Sequence, residues 1–326
     1  MGLFLFGLLL FKKPFNNGCP NSDICDIITK ILLLEGNVMK KPYLYAFGAI
    51  FFWSTTATVS KLLLHSYSTM QVVAVSSAVA AVFLLAVNFA KGNLKKLREY
   101  GPRDFLITSG VGLLGTFAYD LLLYLGIGRL LASQAMIINY LWPMMAVVAG
   151  CIILKEKMTA RKVIAVVMSF LGVTIVTSGG SFAGFQGSSL EGAVFCVLAA
   201  VSYGLFVAFN KRLPYEPQLN MMLYYAQSAL IAFVYLLLWE KMPSFNGMQI
   251  LGFLWIGVCC HAVGYVSWAM AMKLGETAKV ANLAYITPFL AMVVAHFCLG
   301  DPITLWSVGG LLVIVAGIFL QLKDAK

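Results

Sequence analysis

The sequence predicts an all-α integral membrane protein with ten transmembrane helices in two inverted five-helix repeats. Three observations carry that expectation. Hydrophobic residues fill 61% of the 326 positions and charged residues only 11%, where a soluble domain carries about 25% charged residues. The apolar residues gather into ten runs, each close to the roughly 20 residues that cross a bilayer. A stretch of the first half also recurs, residue for residue at key positions, in the second.

The first five runs lie near Tyr43–Leu64, Met70–Ala90, Phe105–Leu125, Leu130–Leu154 and Val163–Ser178. The second five lie near Leu190–Leu213, Leu219–Trp239, Gln249–Met272, Thr277–Leu299 and Ile303–Leu322. Val163–Ser178 is the shortest, and the gaps are too short to hold a soluble domain. Lysine and arginine alternate between gaps. One side collects 17 of them, from Lys40 and Lys41 through Lys91–Arg103, Lys155–Lys162, Lys211 and Arg212 to Lys273, Lys279 and the C-terminal lysines. The other side holds only Arg129 and Lys241, with Lys61 near a run's end. Basic loops stay in the cytoplasm, so the start of the bundle and the C-terminus are both expected there. The net charge of +10 is therefore a topology signal and implies no nucleic-acid partner.

Residues 1–38 read differently from the rest. Gly2–Phe11 is too short to span, and its basic pair Lys12-Lys13 follows the apolar run, the reverse of a secretory signal. One reading is an interfacial anchor. The favoured expectation is an extension outside the native protein, because Met39 before Lys40-Lys41 is a natural start, and Glu35-Gly36 fits a translated ribosome-binding sequence upstream of it.

The repeat is between Ala132–Thr159 and Thr277–Thr304. A constant offset of 145 places Tyr140 on Tyr285, Pro143 on Pro288, Glu156 on Asp301 and Gly172 on Gly317. At an offset of 150 the first run aligns with the sixth, with Trp53 on Tyr203 and Lys61 on Lys211. The repeats are thus expected at 39–178 and 188–326. Five spans per copy turn the second copy over in the membrane, a pattern of secondary transporters with a midplane site between the repeats. Intramembrane enzymes have no particular need of it. Nothing here resembles H-E-x-x-H, a carboxylate pair or a Ser/His/Asp set at one depth, so neither catalytic residues nor a cofactor is expected. The seven cysteines follow no disulfide or metal spacing, and no metal site is expected.

Candidate site residues are the intramembrane groups that lipid does not explain. Pro143 and Pro288 break mid-run helices and free the carbonyls of Asn139 and Ala284, which must find protein or cavity water. They are candidate hinges lining a cavity; static kinks are the other reading. Asp120, in a stripe with Thr116 and Tyr124, is the one carboxylate well inside a run. It would bind a substrate amine or carry a coupling proton with His261, unless it sits at the rim. His261, Tyr265 and Trp268 occupy the related part of the eighth run. Trp53, Tyr140, Trp142 and Tyr203 lie too near run centres to be interface anchors, and aromatic faces with a few polar groups suit a small-molecule pocket; Tyr285, the repeat counterpart of Tyr140, is a candidate with them. Tyr43, Tyr45, Tyr100, Trp239 and Trp306 read as interface anchors, Lys61 and Lys211 as snorkelling side chains, and His296 as packing.

From Met39 to Gln321 the chain resembles the drug/metabolite transporter superfamily, EamA type. The motifs are Trp53 with Lys61, Pro143 before "GCIILKEKMT" and Pro288 before "HFCLGDPIT", with Asp301 standing where Glu156 stands in the first repeat. "NYLWP", "AYITP" and "YDLLLYLGIG" look like the branch of bacterial aromatic amino-acid exporters. The resemblance implies a central cavity built by both repeats in a bacterial inner-membrane exporter of small amphipathic metabolites, aromatic or large apolar amino acids first. The alternatives are an exporter of lipophilic cationic drugs and, more remotely, an intramembrane enzyme.

Overall fold

The computed structural model describes residues 41–153, 155, 157–179, 187–245, 247–274, 280 and 283–322. The extension 1–38 and Glu156 lie outside the described residues. The protein is helical throughout the described part. Helix α1 is Lys41–Leu64 and α2 is Thr69–Ala90. The start of α2 is fixed by Ser68, whose hydroxyl accepts from the Gln71 amide while the Gln71 side chain accepts from the Ser68 amide, a reciprocal cap.

Helix α3 runs Pro102–Arg129, wider than the sequence run, with proline at its first turn where no donor is required. It is α-helical over Pro102–Gly112, π-helical over Leu113–Ala118 and α-helical again over Tyr119–Arg129. The fourth run is two helices, α4 (Ala132–Asn139) and α5 (Trp142–Ile153). They part at Tyr140 and Leu141, just before Pro143, so the ring sits in a first turn and displaces no donor. Helix α6 is Ala160–Ser178, capped by the Thr159 hydroxyl on the Lys162 amide.

Helix α7 is Gly187–Asn210 and α8 is Pro217–Trp239. Helix α9 comprises Gly247–Leu254, a π-helical stretch Trp255–Val263 and Gly264–Leu274. Helix α10 is Ile286–Leu299, entered through a turn at Ala284 and Tyr285 ahead of Pro288 and closed by Gly300 at φ 74°. Helix α11 is Leu305–Leu322. Among the described residues eight segments, with α4 and α5 counted together as Ala132–Ile153, are long and apolar enough to cross a membrane, and α10 and α11 are shorter apolar helices.

The helices pair across the two halves. α2 lies along α8 and α6 along α11. α1 packs on α9 and α10, while α7 packs on α3 and α5, and α4 meets α10. The α6–α11 pair is close enough that a Cβ on Gly172 or on Gly310 would stand 2.6 Å from the other's carbonyl oxygen. Glycine alone permits that approach, as small residues do between membrane helices. Outward faces stay apolar, with Phe89, Leu106, Leu237 and Phe297 exposed, as a lipid-facing surface requires.

Candidate functional site

The two helix breaks and the π-helical stretch of α9 border one interior space, and the π-helical stretch of α3 ends just before Tyr119 and Asp120, which also line it. A π-turn widens the helix and loosens its hydrogen-bond ladder. In α9 the Cys260 carbonyl accepts from Trp53 Nε1 of α1 at 3.1 Å, which pins the indole across the halves. The Trp53 ring then lies 5.5 Å from Tyr265 and 5.4 Å from Trp268. On the opposite wall Trp142 stands edge-on to Tyr203 at 5.2 Å, and Tyr203 is 4.7 Å from Tyr119. Such spacings are those of favourable aromatic pairs.

The space has a narrow closed end and a wide chamber. The closed end, about 50 Å³, is lined by Trp53, Thr56, Tyr119, Asp120, Leu123, Met136, Asn139, Tyr140, Trp142, Tyr203, Cys260, His261 and Tyr265. The chamber, about 510 Å³, shares Trp142, Tyr203, His261 and Tyr265 with it and adds Pro143, Phe206, Trp268, Ala284 and Tyr285. It reaches the surface past Asn210, Lys211, Pro217, Gln218 and Met272, on the lysine-rich side. Its volume lies in the range of small-molecule sites.

The polar groups sit at the closed end. Asp120 is 3% exposed and lines the narrow end of the space. Its Oδ2 is 3.7 Å from His261 Nε2 and has no hydrogen-bond partner. The His261 ring is stacked on Tyr225 at 4.8 Å. Asn139 donates its amide to the Tyr119 hydroxyl at 3.0 Å, leaving Asn139 Oδ1 without a partner.

The structure therefore gathers Trp53, Asp120, Asn139, Tyr140, Trp142, Tyr203, His261, Tyr265, Trp268 and Tyr285 around one cavity. Tyr124 is a correction: it is fully buried behind the wall, its hydroxyl 3.4 Å from His261 Nε2. Pro143 lines the chamber, while Pro288 is buried without lining it. Sequence reasoning missed Tyr119, one residue from Asp120, and Tyr225, whose neighbours in α8 look like ordinary apolar packing. The sequence gives no sign of Tyr119, because the π-turn that immediately precedes it is not legible in composition. Among the described residues no group of three or more His, Cys, Asp or Glu side chains is placed to hold a metal ion.

Two further assignments change. Lys61 does more than snorkel: its ammonium donates to the carbonyls of Ile127 at 2.6 Å and Leu130 at 2.7 Å, closing the end of α3. Tyr100 is no lipid anchor, since it is buried, stacks on Tyr215 at 4.1 Å and donates to Asn220 Oδ1 at 2.6 Å.

Several known proteins resemble the chain in sequence, and one in fold. A probable terminal-alkyne amino-acid exporter of Streptantibioticus cattleyicolor is 27% identical over 273 residues, 82% of this chain and 89% of that one. An uncharacterized transporter of Clostridium kluyveri is 26% identical over 301 residues, covering 88% and 95%. The aromatic amino acid exporter YddG of Ancylobacter novellus is 22% identical over 260 residues, covering 78% and 88%. A solved crystal structure shares the fold with a TM-score of 0.62 at 19% identity, over 86% of this chain and 96% of that one. The model of the EamA-like transporter family matches twice, at residues 40–178 and 190–322. A multi-span helical protein with an aromatic cavity between its halves, matched by one family along both of them, belongs to the EamA-like transporter family.

Proposed function

We propose that the protein is an inner-membrane secondary transporter that exports small amphipathic metabolites, aromatic or large apolar amino acids first, by alternating access. The observation that carries this reading is the cavity itself: an aromatic chamber of about 510 Å³ that opens on the lysine-rich side and ends at a buried carboxylate. Two relatives named as amino-acid exporters support the substrate class. The arrangement is ten spans in two inverted repeats with both termini in the cytoplasm. Its support is the double family match, the alternating lysines and arginines, and helix contacts that recur when α1 is exchanged for α7 and α3 for α9. Pro143 and Pro288, each beside a break in its helix, serve as the hinges. Proton coupling would run through Asp120 and His261, 3.7 Å apart.

A second reading, export of lipophilic cations, draws on Asp120 as the carboxylate of the cavity wall, because aromatic faces and one negative charge attract cations. Efflux of radiolabelled phenylalanine and tryptophan from proteoliposomes, competed by a cationic dye, separates the two. Saturable amino-acid efflux that the dye leaves unchanged supports the first reading; dye efflux without amino-acid efflux supports the second. Flux indifferent to a protonophore and to Asp120→Asn would remove the proton.

A further inference from the structure

The closed end of the cavity holds acceptors that no described residue satisfies. Asp120 Oδ2 and Asn139 Oδ1 both lack a hydrogen-bond partner, on side chains 3% and 1% exposed. A buried unpaired acceptor costs about 1–3 kcal/mol, more for a charged one, so a ligand group with several N–H donors is favoured at this end of the cavity, which both residues line. Their orientation is fixed from behind. Asn139 is turned by its bond to Tyr119, which uses one of its two amide donors and leaves the oxygen an unmet acceptor on a residue that lines the cavity. Opposite Asp120, the His261 ring is held flat against Tyr225, with Nε2 toward Asp120 and Tyr124 and Nδ1 unpartnered.

The charge of the closed end is equally informative. Its lining has one carboxylate, one imidazole and no lysine or arginine. Lys211 stands at the chamber's surface opening, two turns of α7 beyond Tyr203, or about 12 Å at 1.5 Å per residue. A carboxylate separated from an amine by one carbon cannot reach it while the amine is at Asp120.

We infer that Asp120 and Asn139 form an ammonium site at the closed end of the cavity, so that the ligand class is primary amines with an aromatic or large apolar body. An amino acid is one member of that class, held by its amine and side chain, and its carboxylate is not recognised. The body lies along Trp142, Tyr203, Tyr265 and Trp268. The inference rests on the reading of the cavity as the transport site and makes it more specific, since primary ammonium carries the N–H donors that a quaternary cation lacks.

The test is tryptophan fluorescence titration of the purified full-length protein in nanodiscs, at one pH, with four probes of one shape: phenethylamine, L-phenylalanine, 3-phenylpropionate and the trimethyl quaternary form of phenethylamine. The expected order puts phenethylamine at least level with phenylalanine. Phenylpropionate and the quaternary form should bind about 10-fold or more weakly, the size of a lost charge-assisted hydrogen bond. Asp120→Asn and Asn139→Leu should each weaken phenethylamine by a similar factor while leaving phenylpropionate unchanged. Phenylpropionate binding as tightly as phenethylamine on the unmutated protein overturns the ammonium site and leaves the transporter reading standing. So does unchanged amine affinity in Asp120→Asn. Failure of all four probes to bind removes both readings together.

Discussion

The two ends of the molecule are built from repeat-related lysines that do different things. At one end Lys61 is tied to the carbonyls of Ile127 and Leu130, and Asp301 accepts from both the amide and the hydroxyl of Ser133 at 3.0 Å. One cation thereby closes the C-terminus of α3 and one anion closes the N-terminus of α4, each with the favourable sign for the helix dipole. The lining of the cavity stops short of this end, at Leu123 and Met136. At the other end Lys211, the counterpart of Lys61 in the repeat, is exposed at the mouth of the chamber. The ties there are surface pairs: Lys96 to Glu216 at 2.9 Å and Lys91 to Gln218 at 3.0 Å. A duplicated sequence need not give equivalent ends. A half-buried cation and a buried anion seal one end, and the same lysine left in water leaves the other open.

The largest effect expected from this difference comes from making one substitution at both lysines. Lys61→Met strips the carbonyls of Ile127, Gly128 and Leu130 of their donor in a half-buried setting and should cost about 1–2 kcal/mol. Lys211→Met removes no described hydrogen bond and should stay within about 0.5 kcal/mol. Thermal unfolding of the detergent-solubilised protein reads this as a drop of several degrees for Lys61→Met and almost none for Lys211→Met. Equal shifts would break the comparison.

A smaller effect follows at the partner helix. Asp301→Asn keeps an acceptor for Ser133 but loses the charge at the start of α4, worth about 1 kcal/mol. Its nearest analogue at the open end is Arg212, which donates to the Ile153 carbonyl at 2.7 Å from an exposed position. Arg212→Met should cost a few tenths of a kcal/mol. The same melting assay orders the pair, and a reversed order would mean that burial does not set the strength of the two closures.

The asymmetry marks the limit of what was legible in the sequence. Long apolar runs and alternating lysines are one-dimensional signals, so the spans from α1 to α9 followed from them with end shifts of a few residues. The cavity aromatics were found because Trp53, Tyr140 and Tyr203 lie at run centres where lipid gives no reason for them. What stayed hidden depends on helix rotation. The π-turns at Leu113–Ala118 and Trp255–Val263 have no composition signature, yet they turn Tyr119 inward with Asp120 and leave Tyr124 behind the wall. Lys61 and Lys211 are the same residue type at related places, and only the position of Leu130 against α1 tells them apart.

The smallest expected effect concerns the surface ties of the open end. Burial pushes the Tyr100 hydroxyl up to about 12, and a hydrogen bond to Asp104 raises that of Tyr215 beside it. The unfolded value is about 10, so the folded protein holds these protons more tightly than the unfolded chain does. The resulting stability is complete below about pH 10 and is lost as pH climbs from there through about 12. Melting temperature should be level from about pH 7 to 9 and fall above about 10, with a shallower alkaline fall in Tyr100→Phe, which has no proton to lose at that position. Lysines titrate in the same window, and the mutant isolates the tyrosine because it leaves them all in place. Identical alkaline slopes would show that the Tyr100–Tyr215 stack holds the loops by packing alone, and the contrast between the ends would then rest on Lys61 and Asp301.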